Sequence, residues 1–485
     1  MPDQATTAIA LNRFGLGARP GEAPPNDPAA WLKGQFDDYE PAPVAIARLG
    51  DPQARLAETM DTLRALREVA RGQQESNQEE RRAMLRAARD RYLEAVNARA
   101  EAALTSSAPF VERLVHFWAN HFAVSMDKAA AIPFIPIYES TAIRPHVLGR
   151  FEDMLFAVER HPAMLLYLDQ AQSIGPNSTL AQFAERRKAK RTPGLNENLS
   201  REILELHTLG ARSGYTQEDV TELARAMTGW SVDLPAPGMA NVRRRFGRRD
   251  GAGEAESSTD GFVFRAAIHE PGTRTILGRE YKQEGEAQAR AILHDVAASP
   301  ATAKHVATKL AAHFAGDEPP QALVDRLASA FQESDGDLPT AYRVLIDSPE
   351  AWTRTPAKFK NPWEWTISAL RGCGIDEVEN PLPTKVQFAQ LLQQLGQPVW
   401  RPGSPAGWDD TAATWAAPDA ILRRVELAQL FAAAASRQDA MDPNALALQL
   451  LPGSLGDATK AAIAAPDSQV TGIALLLVSP EFQRR

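Results

Sequence analysis

The sequence predicts an all-α protein: a multi-helical body with a projecting helical hairpin and one small β-hairpin. Three observations predict it. Apolar residues recur at helical spacing through most of the 485 residues. Only one stretch, 261–278, reads as strand, turn and strand. The remaining breaks are short clusters of Gly, Pro, Asn, Asp and Ser, as connections between helices require.

The opening residues MPDQATTAIALNRFGLGARPGE lack a basic region followed by a long apolar run, so no secretory signal is expected. No stretch approaches 18 uninterrupted apolar residues, so no membrane insertion is expected. As written, the chain reads as cytoplasmic, and as periplasmic or secreted if an export signal was removed. Residues 54–71 and 79–104, rich in Ala, Arg, Glu and Leu, predict two long antiparallel helices. Their narrow apolar seam is Leu63, Leu66, Val69, Met84, Tyr92 and Val96. A helical block follows over 109–170, then a Gly- and Pro-marked excursion over 173–195 with five basic residues in 186–191.

Two polar helices come next. In NENLSREILELHTLG (196–210), Gly210 is placed to stop the first. In GYTQEDVTELARAMTGW (214–230), Thr216 with Asp219 three residues on reads as a capping box. A second basic run, Arg243 to Arg249, precedes the strand signals GFVFRAAI and TRTILG, which flank His269-Glu270-Pro271-Gly272 as a hairpin turn. Residues 286–485 return to helix, and the segment 395–410 holds Trp400 and Trp408 in a Pro/Gly loop. LIDSPEAW (345–352) and LLVSPEFQ (476–483) echo each other, each with Ser before Pro-Glu at a helix start. The division that follows is an N-terminal body, 1–285, carrying hairpin insertion 52–104 and β-hairpin 261–278, with a C-terminal lobe, 286–485, packed on it.

Composition narrows the function. A net charge of −8, from 53 basic and 61 acidic residues, argues against a nucleic-acid binder. The single cysteine, Cys373, allows no intrachain disulfide and no multi-cysteine metal site. No G-x-S-x-G, Walker A, G-x-G-x-x-G or H-E-x-x-H occurs.

The chemistry-bearing residues lie in a few helices and turns. In ERLVHFWANHF (112–122), Arg113, His116 and Asn120 share a stripe, and His121 lies roughly 140° from His116 by the helical repeat. His121 therefore reads as a packed histidine that anchors the helix. In 196–210 the same repeat puts Asn198, Glu202 and Glu205 on one face and His207 on the other. No single helix then presents all of them to a metal, and the paired Glu-x-x-His element of di-iron bundles is absent. Glu197 and Asp219 read as capping or salt-bridging groups, with Arg201 and Arg225 as partners. Asp169 closes an apolar helix, where burial would raise its pKa and make it an acid. Glu139, Trp230, His269 and Trp408 complete a set able to line a polar cleft.

These motifs carry a resemblance. ALNRFGLGA (10–18), HFWANHF (116–122), AMLLYLD (163–169), the two polar helices, HEPGTRTILG (269–278), the LGQPVW…GW loop and the final SPEF resemble, in that order, the bacterial family known as domain of unknown function 1800. The resemblance implies a mainly helical fold. Members of the family are often exported and often encoded beside sulfatase-like proteins of another uncharacterised family, whereas this chain shows no export signal. The resemblance transfers no catalytic residue.

The functional expectation is a hydrolase acting on a glycan or related polymer through carboxylates in a helical cleft. Glu202, Glu205, His116 and Asp169 are its catalytic candidates. Asn120, Glu139, Asn198, Trp230, His269 and Trp408 are its binding candidates. The expected substrate is a carbohydrate or an anionic small molecule, and the two basic runs would favour an anionic one if both fold over the central motif. The alternatives are a metal-dependent hydrolase or oxidoreductase using His and Glu from separate helices, and a non-enzymatic scaffold or maturation partner binding protein through hairpin 52–104. The residues name no cofactor.

Overall fold

The structure, a computed structural model, describes residues 3–69, 77–186, 194–234, 260–355, 358–378, 387–438 and 441–485. Both basic runs, apart from Arg186, lie outside the described residues, as do the side chains of Leu66, Val69 and Met84. Helices build most of what is described. The only strands among these residues form two antiparallel pairs.

The pairs differ from the expected hairpin. Strand β2 (Phe262–Phe264) pairs with β1 (Trp230–Val232) across a long connection, and β3 (Arg274–Ile276) pairs with β4 (Arg279–Tyr281) through Leu277 and Gly278. His269-Glu270-Pro271-Gly272 joins the two pairs and turns neither. The apolar pattern of 261–278 is genuine, but β2 finds a partner already waiting at the end of the preceding polar helix.

The chain divides into two compact units. One comprises Met1–Leu49, Leu93–Asn120 and Val306–Arg485; the other comprises Gly50–Tyr92 and His121–His305. Residue 285 falls within the second. Three of the four boundaries lie inside the helices Asn77–Thr105, Pro109–His121 and Pro300–Ala315, where composition does not change and sequence gives no sign of them; the fourth falls between Leu49 and Gly50, just before the helix Pro52–Val69.

In the first unit, Phe14, Phe36, Phe110, Phe314, Tyr342 and Trp352 interlock with ring centroids 4.8 to 6.3 Å apart. The ALNRFGLGA segment is bound there by buried arginines. Arg13 donates to the carbonyls of Ala351 (2.6 Å), Thr353 (2.8 Å) and Thr355 (3.2 Å). Arg113 and Arg371 each donate at 2.9 Å, to Gly15 O and Gly17 O. Gly17, at φ 104°, lies so close to Ser368 that an added Cβ would stand 2.9 Å from the serine Cβ. This segment is therefore a structural clasp.

In the second unit, the helix Pro52–Val69 packs its first turns on Ile135–Tyr138 and Glu139–Ile143 and buries Leu56 and Met60. Arg64 donates to Asp233 O at 3.1 Å and to its carboxylate at 2.7 Å. This half of the expected projecting hairpin is tied into the unit by apolar burial and an ion pair. Phe151–Arg160, Pro162–Tyr167, Asn198–His207 and Gln217–Met227 surround a core that includes Phe122, Leu155, Leu204, Leu223 and the fully buried Trp230.

Candidate functional site

The second polar helix forms as its caps direct. Thr216 accepts from Asp219 N, and Asp219 returns a carboxylate to Thr216 N at 2.7 Å. The first departs from the α repeat. Asn198–Glu202 is α-helical, but Ile203–His207 is a π turn, which brings residue i over i+5 rather than i+4. The Thr208 hydroxyl donates to Ile203 O at 2.5 Å, occupying a carbonyl that the widened turn leaves open. At its end, His305 Nε2–H donates to Leu206 O and His121 Nε2–H to His207 O, each at 3.0 Å. These imidazoles cap carbonyls that a helix end leaves without backbone donors. Gly210, at φ 88°, terminates the segment. An added Cβ there would stand 2.8 Å from His305 Nδ1, so the residue must be glycine.

The π turn corrects the expected geometry. By the α repeat, Glu202 and His207 lie on opposite sides; one π turn apart, they lie on the same side. His207 is fully buried against Phe122, with ring centroids 5.3 Å apart, and its Nδ1–H donates to Glu159 Oε1 at 2.7 Å. Glu159 is fully buried as well. Because a carboxylate only accepts, the bond places the neutral imidazole's proton on Nδ1 and leaves a lone pair on Nε2. That Nε2 is buried without a hydrogen-bond partner, as is Glu159 Oε2.

Glu202 and Glu205 are both half-buried. Arg201 is taken up by Glu197 (3.4 Å) and Gln217 (2.7 Å), and Arg225 by Glu222. Glu197 and Asp219 are thus structural, as expected. Among the described residues no cation lies within ion-pair distance of Glu202 or Glu205. Glu205 accepts from Tyr215 OH at 3.3 Å. Burial raises the Glu202 carboxyl above the ordinary glutamate value. The charge of His207 opposes this, and Glu205 and Glu159 add to it. Burial, then the charges of Glu202 and Asp127, push the Tyr167 phenol up to about 12. Burial and Glu205 likewise raise Tyr215. Both phenols therefore stay protonated donors facing two carboxyl groups.

The other expected site residues are distributed as follows. His116, Asn120 and Trp408 belong to the first unit, where the predicted stripe is real. Trp363 Nε1–H donates to His116 Nδ1 at 3.2 Å, and Glu112 lies 3.4 Å from His116 Nε2. Asn120 clamps Trp408, donating to its O at 2.9 Å and accepting from its N at 2.7 Å. Glu139, Asp169, Asn198, Trp230 and His269 belong to the second unit with Glu202 and Glu205.

Several of these prove structural. Trp230 is fully buried, in T-shaped contact with Phe156 and Phe262, so it offers no sugar platform. Glu139 is buried with Arg144 at 3.6 Å. Asp169, at φ 60°, is held by Lys128 at 2.5 Å, so its carboxylate has a cationic partner and is no buried acid. His269 is half-buried, with Nδ1–H donating to Thr228 O at 2.8 Å. Glu270 is buried, accepting from Asn177 N and Nδ2 at 2.7 and 2.6 Å. Neither reaches out from an exposed turn. Asn198 is exposed at the helix start, its N–H bonded to Asn196 Oδ1.

Among the described residues, no three His, Cys, Asp or Glu side chains are arranged to hold a metal ion. No helix of the described residues is long and apolar enough to cross a membrane.

With this geometry in hand, comparison with known proteins identifies the fold's kin. The profile described as protein of unknown function (DUF1800) matches residues 9–484. The chain belongs to this family. No curated protein and no solved structure matches it. In this DUF1800 chain the motifs that carry the resemblance divide by role. ALNRFGLGA is the arginine-bound clasp, the Glu270 segment of HEPGTRTILG clasps Asn177, and NENLSREILELHTLG holds the π turn with Glu202, Glu205 and His207.

Proposed function

We propose that this protein is a hydrolase of a glycan or related polymer, with Glu202 as general acid and Glu205 as its carboxylate partner. One observation carries the reading: Glu202 is a half-buried carboxyl, raised by burial, with no cation in ion-pair reach among the described residues, on the same helix as Glu205, a second half-buried carboxyl with no such cation among them. A carboxyl held protonated toward neutral pH can donate to a leaving oxygen, and a nearby ionised carboxylate can activate water or attack the sugar carbon. Tyr167 and Tyr215 remain protonated and can donate hydrogen bonds to sugar hydroxyls or to the carboxylates. Among the described residues, carboxylates outnumber cations here: Glu205 and Glu159 act on Glu202 and Asp127 acts on Tyr167, while Arg201 is engaged. This favours a neutral or amino sugar.

The test is release of reducing ends from a panel of neutral, amino and acidic polysaccharides by purified protein, beside Glu202→Gln and Glu205→Gln. The reading expects turnover on a neutral or amino polymer and loss of at least about 100-fold in either variant. Turnover unaffected by both substitutions would end it.

A further inference from the structure

We propose that the open Nε2 of His207, oriented by Glu159, is the acceptor to which the Glu202 side chain turns, so that Glu159, His207 and Glu202 form a carboxylate–imidazole–carboxyl relay in which His207 is the positioning residue for the acid. This rests on the preceding reading of Glu202 as the acid.

Four observations carry it. The Glu159–His207 bond, 2.7 Å between two fully buried side chains, fixes which ring nitrogen is free. The free nitrogen, Nε2, is buried and has no partner, a costly state for a polar atom unless it has a task. The π turn Ile203–His207 places His207 one turn beyond Glu202 on the same side. Finally, imidazoles from two other helices hold that turn open by capping Leu206 O and His207 O, so the register is enforced.

The exchange conserves charge. With Glu202 protonated, His207 is neutral and Glu159 anionic. When the O–H bond of Glu202 breaks and an N–H bond forms at Nε2, Glu202 becomes a carboxylate and His207 an imidazolium between two carboxylates. The three groups carry one net negative charge in both states. Glu202 can thus be protonated for donation, or ionised without leaving an isolated charge. The other groups facing the relay are Glu205 and Arg201 on its own helix, Tyr167 from Pro162–Tyr167, and Tyr215 from the loop that follows. His121 and His305 stand at its far end, their rings 6.3 Å from His207 and 6.0 Å from His121, respectively.

The test is an NMR titration of the full chain labelled with 13C at glutamate carboxyls and 15N at histidine rings, needing no substrate. In the wild type, the Glu202 carboxyl signal is expected to move over two pH intervals, as a carboxyl coupled to a second site does. In His207→Asn, which keeps a donor for Glu159 but no titrating nitrogen, Glu202 should titrate in one step at higher pH. The proposal is overturned if Glu202 titrates in one step in the wild type, or identically in His207→Asn. If the variant fails to fold, the wild-type curves alone decide. Coupling without glycan turnover would end the hydrolase reading and keep the relay. Turnover without coupling would do the reverse.

Discussion

Replacing Glu159 by alanine removes the acceptor of a fully buried imidazole N–H, and the structure sets the cost. Had the partner been arginine, the change would strand a charge that cannot be shed, at about 3–5 kcal/mol. His207 can become neutral, so what remains is a buried Nδ1–H with no acceptor, worth about 1–3 kcal/mol. The removed carboxylate was itself only half satisfied, because Glu159 Oε2 has no partner, which holds the net near the middle of that range. We therefore expect about 2 kcal/mol, or roughly 30-fold faster exchange where opening is local. The assay is hydrogen exchange by mass spectrometry on peptides covering 203–210, where Gly210 N–H bonds Leu204 O at 3.2 Å. Glu159→Gln retains an acceptor oxygen and should cost under about 1 kcal/mol, less than roughly fivefold. Equal exchange in both variants, or no change in Glu159→Ala, would refute the claim that this hydrogen bond holds the π turn.

Three further outcomes are expected. Glu202→Gln should stabilise the fold at alkaline pH. A carboxyl raised by burial contributes its full stability below its unfolded value and loses it as pH rises through the folded one, so the melting-temperature gain over wild type should close toward acid pH. Gly407→Ala should destabilise the first unit by at least about 1 kcal/mol, because at φ 82° its Cβ would stand 2.3 Å from Asn120 O and break the Trp408 clamp; denaturant midpoints and a red-shifted tryptophan emission would report it. Glu364→Ala should cost about 3–5 kcal/mol in denaturant unfolding, since it leaves Arg113 and Arg485 buried without their carboxylate, which lies 2.8 Å from Arg485. A change under about 1 kcal/mol would show that the pair is dispensable.

Much of this was legible in the residues. Helical spacing and the Thr216/Asp219 box specify their own local geometry, so the helical class and the cap follow from pattern alone. The stripe Arg113, His116 and Asn120 also held, because Pro109–His121 is a regular helix and each side chain finds a partner within one unit. The Glu202–His207 relation did not follow, since the α repeat was assumed where the chain makes a π turn. That turn depends on His121 and His305, 86 and 99 residues away, and only Thr208, one residue beyond it, gave a local hint. Trp230 misled for a related reason. An aromatic after Gly229 can be a platform or a core residue, and the choice is made by β2, a strand thirty residues later. Glu159 carried no signal, because one of three acids in FEDMLFAVER looks like any helix-surface charge until its partner is placed.

The most direct test of the acid role compares leaving groups. Glu202→Gln should lose hydrolysis of an alkyl-linked oligosaccharide yet retain most of its activity on the matching nitrophenyl glycoside, whose phenolate departs without a proton, while Glu205→Gln should lose both. Equal loss on the two substrates in Glu202→Gln would contradict the account.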